Sequence, residues 1–196
     1  MSADVPVAWR VPLLVLAFAS LFVGMAAGLA RLGWLFPAPV ADLAALHGPL
    51  MASSFFGTVI SLERAVALSR RWGYFGPLLT GLGATAGIIG APFAAAPMLV
   101  VMGSAVLLAA SLVFYRRQRE LFTLTLALGA ACWLLGNLLW LAGRPIYVSV
   151  PFWIGFLVLT IAGERLELSR LLPPSAVARR VFVASIVVLL AGIALS

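Results

Sequence analysis

The sequence predicts an all-α integral membrane protein, a polytopic bundle of about seven transmembrane helices with its N-terminus in the cytoplasm. Three observations carry that expectation. Hydrophobic residues make up 64% of the 196 and charged residues 10%, with mean hydropathy +1.15, which is more apolar surface than a soluble fold of this size can hide. The apolar residues come in unbroken runs without alternation, so helices and not barrel strands must satisfy the backbone in lipid. The basic residues sit in short clusters between the runs, with a strong bias toward alternate gaps.

A crossing helix needs about 20 apolar residues, and the chain offers runs at 11–30, 44–63, 74–91, 97–114, 121–142, 147–163 and 181–196, the last the weakest. The first run follows Arg10 and ends in AAGLA, like a signal peptide before its cleavage site, but it is longer than a secretory core and further runs follow. Pro37, Pro39, Pro92, Pro97, Pro145, Pro173 and Pro174 fall between runs, where they interrupt no helical hydrogen bond. The whole of 1–196 therefore reads as one transmembrane domain. With hardly any polar residues after the seventh run, two expectations stand side by side: the natural protein continues beyond Ser196, or the last helix is a partly buried closing element.

Every basic residue is arginine, and the net charge is +7. With the N-terminus inside, Arg10, Arg64, Arg70, Arg71, Arg116, Arg117, Arg119, Arg165, Arg170, Arg179 and Arg180 face the cytoplasm, and only Arg31 and Arg144 face out. That asymmetry predicts residence in the cytoplasmic (inner) membrane with lipid as the main partner, and it argues against nucleic acid, which would need a basic soluble face. The absence of lysine excludes a lysine Schiff base. The one cysteine, Cys132, rules out an intramolecular disulfide. Trp9 and Trp72 toward the inside, with Trp34 and Trp140 toward the outside, form an aromatic belt. GMAAG (24–28) and GATAG (83–87) predict close helix contacts.

The second and sixth runs resemble each other. Shifting GTVISLERAVALSR (57–70) onto VLTIAGERLELSR (158–170) aligns Phe55 with Phe156, Ile60 with Ile161, Glu63 with Glu164 and Arg64 with Arg165. Copies separated by four crossings would be parallel repeats. Both Glu-Arg pairs then lie at the cytoplasmic edge, where long side chains reach water, and they read as an interfacial ion-pair network more readily than as ligands of a transported ion.

His47 is the only histidine, close to the outer end of the second run in LHGPLM. An ionisable residue inside a span is a candidate functional group by default, although a lone histidine also serves as a hydrogen-bonding strut between helices. At 100° per residue His47, Met51, Ser54, Thr58 and Ser61 fall within an arc of about 80°, a polar stripe that faces protein or water. Its plain use is helix packing; its functional use is a site with a proton or water path beneath it. Under the repeat the corresponding positions are Val148, Phe152, Gly155, Leu159 and Ala162, so the stripe belongs to one copy. Met25, Met51, Met98 and Met102, with Asn137, lie at the same depth as His47, and thioether with imidazole suits Cu(I) or haem iron. Pro49 after Gly48 marks a backbone irregularity at the histidine, either a kink or a helix start.

The segment LHGPLMASSFFGTVISLERAVAL (46–68) resembles the histidine-bearing second helix of subunit I of haem-copper oxidases and of NnrS-type haem membrane proteins of nitric-oxide metabolism. The resemblance implies His47 as an axial haem ligand. Those families carry further histidines for a second ligand and for copper, and this chain has one histidine, so a complete oxidase or reductase centre is not expected within it. A second ligand would come from Met25, Met98, Met102, water, another subunit or residues beyond Ser196.

Three functions follow as expectations: a haem- or copper-binding membrane protein acting through His47, a small transporter or channel lined by the stripe, or a structural subunit of a membrane complex or homo-oligomer. No Walker loop, Ser-His-Asp set, HExxH or dinucleotide fingerprint is present, which leaves no complete catalytic constellation.

Overall fold

Each apolar run winds into a helix, and glycine, proline and charge decide where it stops. The computed structural model describes residues 5–92, 94–169 and 175–195; Arg170, Pro173, Pro174 and Ser196 lie outside them. Helix α1 (Val7–Arg31) starts behind Pro6 and carries Arg31 in its last turn, before Gly33 turns the chain at φ 90°. A short α2 (Ala38–Ala41) runs on through a 3-10 turn (Asp42–Leu46) and a π-helical segment (Pro49–Phe55) into α3 (Phe56–Leu68). After a left-handed Ser69 and a second 3-10 turn (Arg71–Tyr74) come α4 (Phe75–Ile88), α5 (Ala95–Arg117), α6 (Leu121–Leu141), α7 (Ile146–Leu168) and α8 (Ala176–Ala194). Glu120 and Thr123 close a capping box at the start of α6, and Ser175 accepts from the Ala178 N–H at the start of α8. No strand occurs among the described residues.

Among the described residues, six helices are long and apolar enough to cross a membrane: Val7–Arg31, Pro49–Leu68, Ala95–Arg117, Leu121–Leu141, Ile146–Leu168 and Ala176–Ala194. The run at 74–91 departs from expectation. Its α-helix has 14 residues, about 21 Å of rise against a hydrocarbon layer of about 30 Å. The residues before Phe75 wind as a 3-10 turn, and Gly90, at φ 69°, ends the helix early. Two smaller boundaries also move. Pro97 lies within the first turn of α5, where its missing N–H has no helical partner to lose, and Arg179 and Arg180 lie inside α8.

Neighbouring helices run antiparallel. On α1, Leu16 packs at Gly81, Gly24 meets Leu50 and Met51, and Gly28 meets His47. Gly76 of α4 faces Ser61, and Gly87 approaches Leu46, so α4 with its leading turn travels beside the whole π and α3 stretch. Gly57 sits under Trp133 of α6, and Gly48 lies against Ile146 and Trp153 of α7. One end of the bundle thus gathers Arg10 over the Tyr74 ring, Arg64 over the Phe114 ring, and Arg119, Arg165 and Arg179 around a shared cavity. Arg31 and Arg144 stand at the opposite end, the end at which Gly28 meets His47 and Gly48 meets Ile146.

The core is centred on α6. Trp133 is fully buried and stacks on Phe156 at 5.0 Å, and Trp140 meets Trp153 edge-on at 6.1 Å. In lipid there is no hydrophobic drive between helices, so such dense ring contacts and close approaches at glycine hold the bundle. Any side chain at Gly57 would occupy the Trp133 indole. The most apolar window of α6 is 56% buried, whereas that of α8 is 6% buried; α8 is a peripheral helix pinned by Ile193, which fits where Gly155 leaves room. Large apolar side chains such as Phe22, Leu82, Ile154, Ile161, Val187 and Val188 cover the outside, a surface that only lipid or another apolar partner solvates.

Candidate functional site

His47 lies where the chain changes winding, between the 3-10 turn that ends at Leu46 and the π-helical segment that begins at Pro49. Neither a simple proline kink nor a fresh helix start describes it: Gly48 keeps helical dihedrals, φ −59° and ψ −54°, and Pro49 opens a wider turn whose altered bonding tolerates a missing N–H. Segments of this kind recur at functional sites because they turn side chains out of α-helical register.

The imidazole docks on α1. Its Nδ1 lies 2.8 Å from the Gly24 carbonyl oxygen, and the ring rests on Gly28, where a Cβ would stand 2.7 Å from Nδ1. A carbonyl oxygen only accepts, so Nδ1 carries a proton and donates; in the neutral imidazole Nε2 then holds the lone pair. Met51 fits the other glycine of the same motif, its Sδ 3.0 Å from the place of a Gly24 Cβ. GMAAG (24–28) is therefore the seat of His47 and Met51. Met25, Met98 and Met102 stand on the outer surface of the bundle, half-exposed; of the four methionines at this depth, the fold brings Met51 to the histidine.

Below this seat the stripe turns inward. Ser54, Thr58 and Ser61 are buried in the bundle, whereas His47 and Met51 are half-buried against α1. The residue that organises the interior is Ser53, which a uniform 100° rotation leaves off the stripe. Its hydroxyl donates to Asn137 Oδ1 at 2.6 Å and accepts from Trp133 Nε1 at 2.9 Å, and Trp153 Nε1 donates to the same Asn137 oxygen at 3.0 Å. An indole N–H can only donate, which fixes the orientation of the Asn137 amide. The smaller rotation per residue of a π-helix lets Ser53 and Ser54 both face inward. The Ser-Ser doublet was the available signal.

The network is incomplete. Asn137 Nδ2, Ser149 Oγ, Thr58 Oγ1 and Ser61 Oγ are buried with no hydrogen-bond partner among the described residues. Each such group costs about 1–3 kcal/mol when left unmet, and in native structures water or a polar ligand commonly meets it. The four belong to α3, α6 and α7 and continue the polar lining from the level of Gly48 to that of Gly76.

At the arginine-rich end Arg64 Nη2 lies 3.9 Å from Glu164 Oε1, linking the two Glu-Arg pairs across helices, while Glu63 and Arg165 are exposed. Cys132 is buried and free. No group of three or more His, Cys, Asp and Glu side chains gathers as a metal site among the described residues, so a metal held by this chain would rely on His47 with a softer partner. The donors fit that demand in part: the imidazole keeps one free nitrogen, and a thioether lies on the same α1 face.

Residues 10–196 match a family model described as "Domain of unknown function (DUF8744)". No curated protein and no solved structure matches the chain.

Proposed function

We propose, for a chain that belongs to this DUF8744 family, a multi-pass protein of the inner membrane that holds a metal centre, a haem or a copper ion, through Nε2 of His47. The observation that supports it is the hydrogen bond from Nδ1 to the Gly24 carbonyl. Metal-ligating histidines characteristically donate their second ring N–H to a backbone carbonyl or carboxylate, which fixes the tautomer and aims the free nitrogen. Met51 is the partner of choice for Cu(I), since imidazole and thioether suit that ion; with Met25, Met98 and Met102 turned to the outside of the bundle, a haem would need its second ligand from water or another subunit. When bound, either group supplies one-electron chemistry. His47 and Met51 would hold it near one end of the bundle, and the Gly24 carbonyl would keep the imidazole in one tautomer. The resemblance of 46–68 to the second helix of NnrS-type proteins and of oxidase subunit I agrees with this reading.

In this proposal α4 completes a seventh crossing together with its leading 3-10 turn, and the arginine-rich end with the N-terminus faces the cytoplasm by the positive-inside rule. The second and sixth crossings then run in one direction, as parallel repeats would. A reporter fused after α8 should be active only outside the cytoplasm; activity inside would refute the orientation.

The centre itself is tested by purifying the protein from cells supplied with haem and copper, then recording its optical spectrum and metal content. We expect a Soret band or near-stoichiometric copper, lost in His47→Ala. A wild-type protein without either overturns the reading. A second function is favoured by the four unpartnered buried polar atoms on α3, α6 and α7, which suit a path for water or a small polar solute between the two ends. Proton or solute flux into vesicles that Ser54→Leu or Thr58→Leu abolishes, with metal content unchanged, would support it.

A further inference from the structure

At the arginine-rich end, opposite the His47 seat, α6, α7 and α8 diverge and leave a cavity of about 910 Å³, within the range of about 300–1,000 Å³ typical of ligand sites. Arg119, Arg165 and Arg179 line it, one from each helix or its approach, with Glu120, Ser169 and Ser175. Three guanidiniums face one carboxylate, and that carboxylate is already engaged by the backbone N–H of Thr123 in the α6 capping box. None of the three arginines has an ion-pair partner among the described residues. Polar groups of Ser169 and Ser175 are turned to local backbone, Leu166 O and Ala178 N, so an anion entering here would meet arginine first.

The cavity does not end at the polar rim. Ala162, Ala178 and Phe182 line both it and a second space of about 720 Å³ that follows the α7–α8 seam. That groove is walled by Val158, Val181, Ile186 and Leu189, and it opens because α8 is held at its far end by Ile193 against Gly155 and is barely buried elsewhere. A soluble anion would use the arginines and leave the groove to lipid tails. A basic head pocket continuous with an apolar slot of membrane depth instead matches an amphiphile whose charge and chain are joined.

We propose that this junction binds one anionic phospholipid, its phosphate among Arg119, Arg165 and Arg179 and an acyl chain along the α7–α8 groove, and that the lipid is what fastens α8 to the bundle. The proposal rests on membrane embedding and not on the His47 centre. Lys and Arg near a membrane surface each contribute roughly fivefold in affinity for anionic lipid, so the head pocket discriminates by charge.

Native mass spectrometry of the full chain in nonionic detergent tests it, with phosphatidylglycerol, phosphatidylcholine of the same chains, and inorganic phosphate as probes. Wild type should retain one phosphatidylglycerol through washing that strips phosphatidylcholine. Arg119→Gln with Arg165→Gln and Arg179→Gln should lower retention at least tenfold, whereas Arg116→Gln with Arg117→Gln, at the same end but outside the cavity, should not. Ala162→Trp, which blocks the groove and spares every arginine, should also lower it. Equal retention of the two lipids, displacement of phosphatidylglycerol by millimolar phosphate, or unchanged retention in Ala162→Trp each overturns the site. If the triple arginine variant does not fold, the lipid contrast in wild type and the Ala162→Trp result decide. Recovery of the protein without detergent would refute membrane embedding itself; recovery only in detergent, with no lipid preference, refutes the site alone.

Discussion

The helix that carries His47 and helix α7 run in the same direction and finish with the same Glu-Arg pair, yet they are built differently. From Ile146 to Leu168 α7 is one uninterrupted α-helix, and its counterparts of His47, Met51 and Ser54 are Val148, Phe152 and Gly155. The other strings together a 3-10 turn, a π-helical segment and an α-helix. Where they agree, at the arginine-rich end, Arg64 of one reaches Glu164 of the other. Where they differ, one meets α1 through an imidazole and a thioether, and at the matching positions the other carries Val148, Phe152 and Gly155. The contrast teaches that the common end is architecture, while whatever is specific to this protein sits in the irregular winding around His47, Ser53 and Ser54.

The largest expected effect separates the two helices by steric demand. Gly57→Leu drives a side chain into the Trp133 indole and should destabilise the protein by about 3 kcal/mol in a denaturant titration in micelles, whereas Val158→Gly at the corresponding position of α7 should stay within about 1 kcal/mol. An equal response would break the comparison. Next, Asn137→Leu strands the Ser53 hydroxyl and the Trp153 N–H together and should cost about 2 kcal/mol; Ser53→Ala should cost about 1 kcal/mol, more than Ser54→Ala, and the reverse order would remove the role assigned to the π-helical winding. Third, Gly28→Ala pushes the imidazole off its seat and should reduce metal occupancy about tenfold with little change in thermal unfolding, read by metal analysis. Smallest is Arg64→Gln. At 3.9 Å, with the Glu164 side chain 40% exposed, its pairing with Glu164 should contribute no more than about 0.5 kcal/mol, and a double-mutant cycle with Glu164→Gln measures it.

What could be read in advance followed the kind of interaction involved. Apolar run length located six helices within a few residues because lipid imposes one requirement on every crossing segment. It overestimated α4, since hydropathy counts Gly90 as compatible with a span while its left-handed backbone follows the end of the helix at Ile88. It also marked GMAAG as a close contact without saying what would fill it. His47 stood out because it is the only histidine. Ser53 did not, because a fixed rotation per residue holds only for a regular α-helix, and the chain between Pro49 and Phe55 is not one. The set Met25, Met51, Met98 and Met102 shared a depth but not a direction: depth follows from counting residues along a helix, whereas direction depends on which neighbour each helix turns toward.

The sequence by itself determined that this chain is helical and multi-pass, and that its arginines gather toward one end, because hydrocarbon tolerates neither unpaired backbone nor free charge and both constraints act locally along the chain. Only the tertiary structure decided that Gly24 and Gly28 receive Met51 and His47, that Asn137 ties Ser53 to Trp153, and that α8 stands away from α7 over a groove headed by three arginines. Those are relations between segments distant in the chain, set by how glycine gaps and indole rings fit one another, and no periodicity within a single helix contains them.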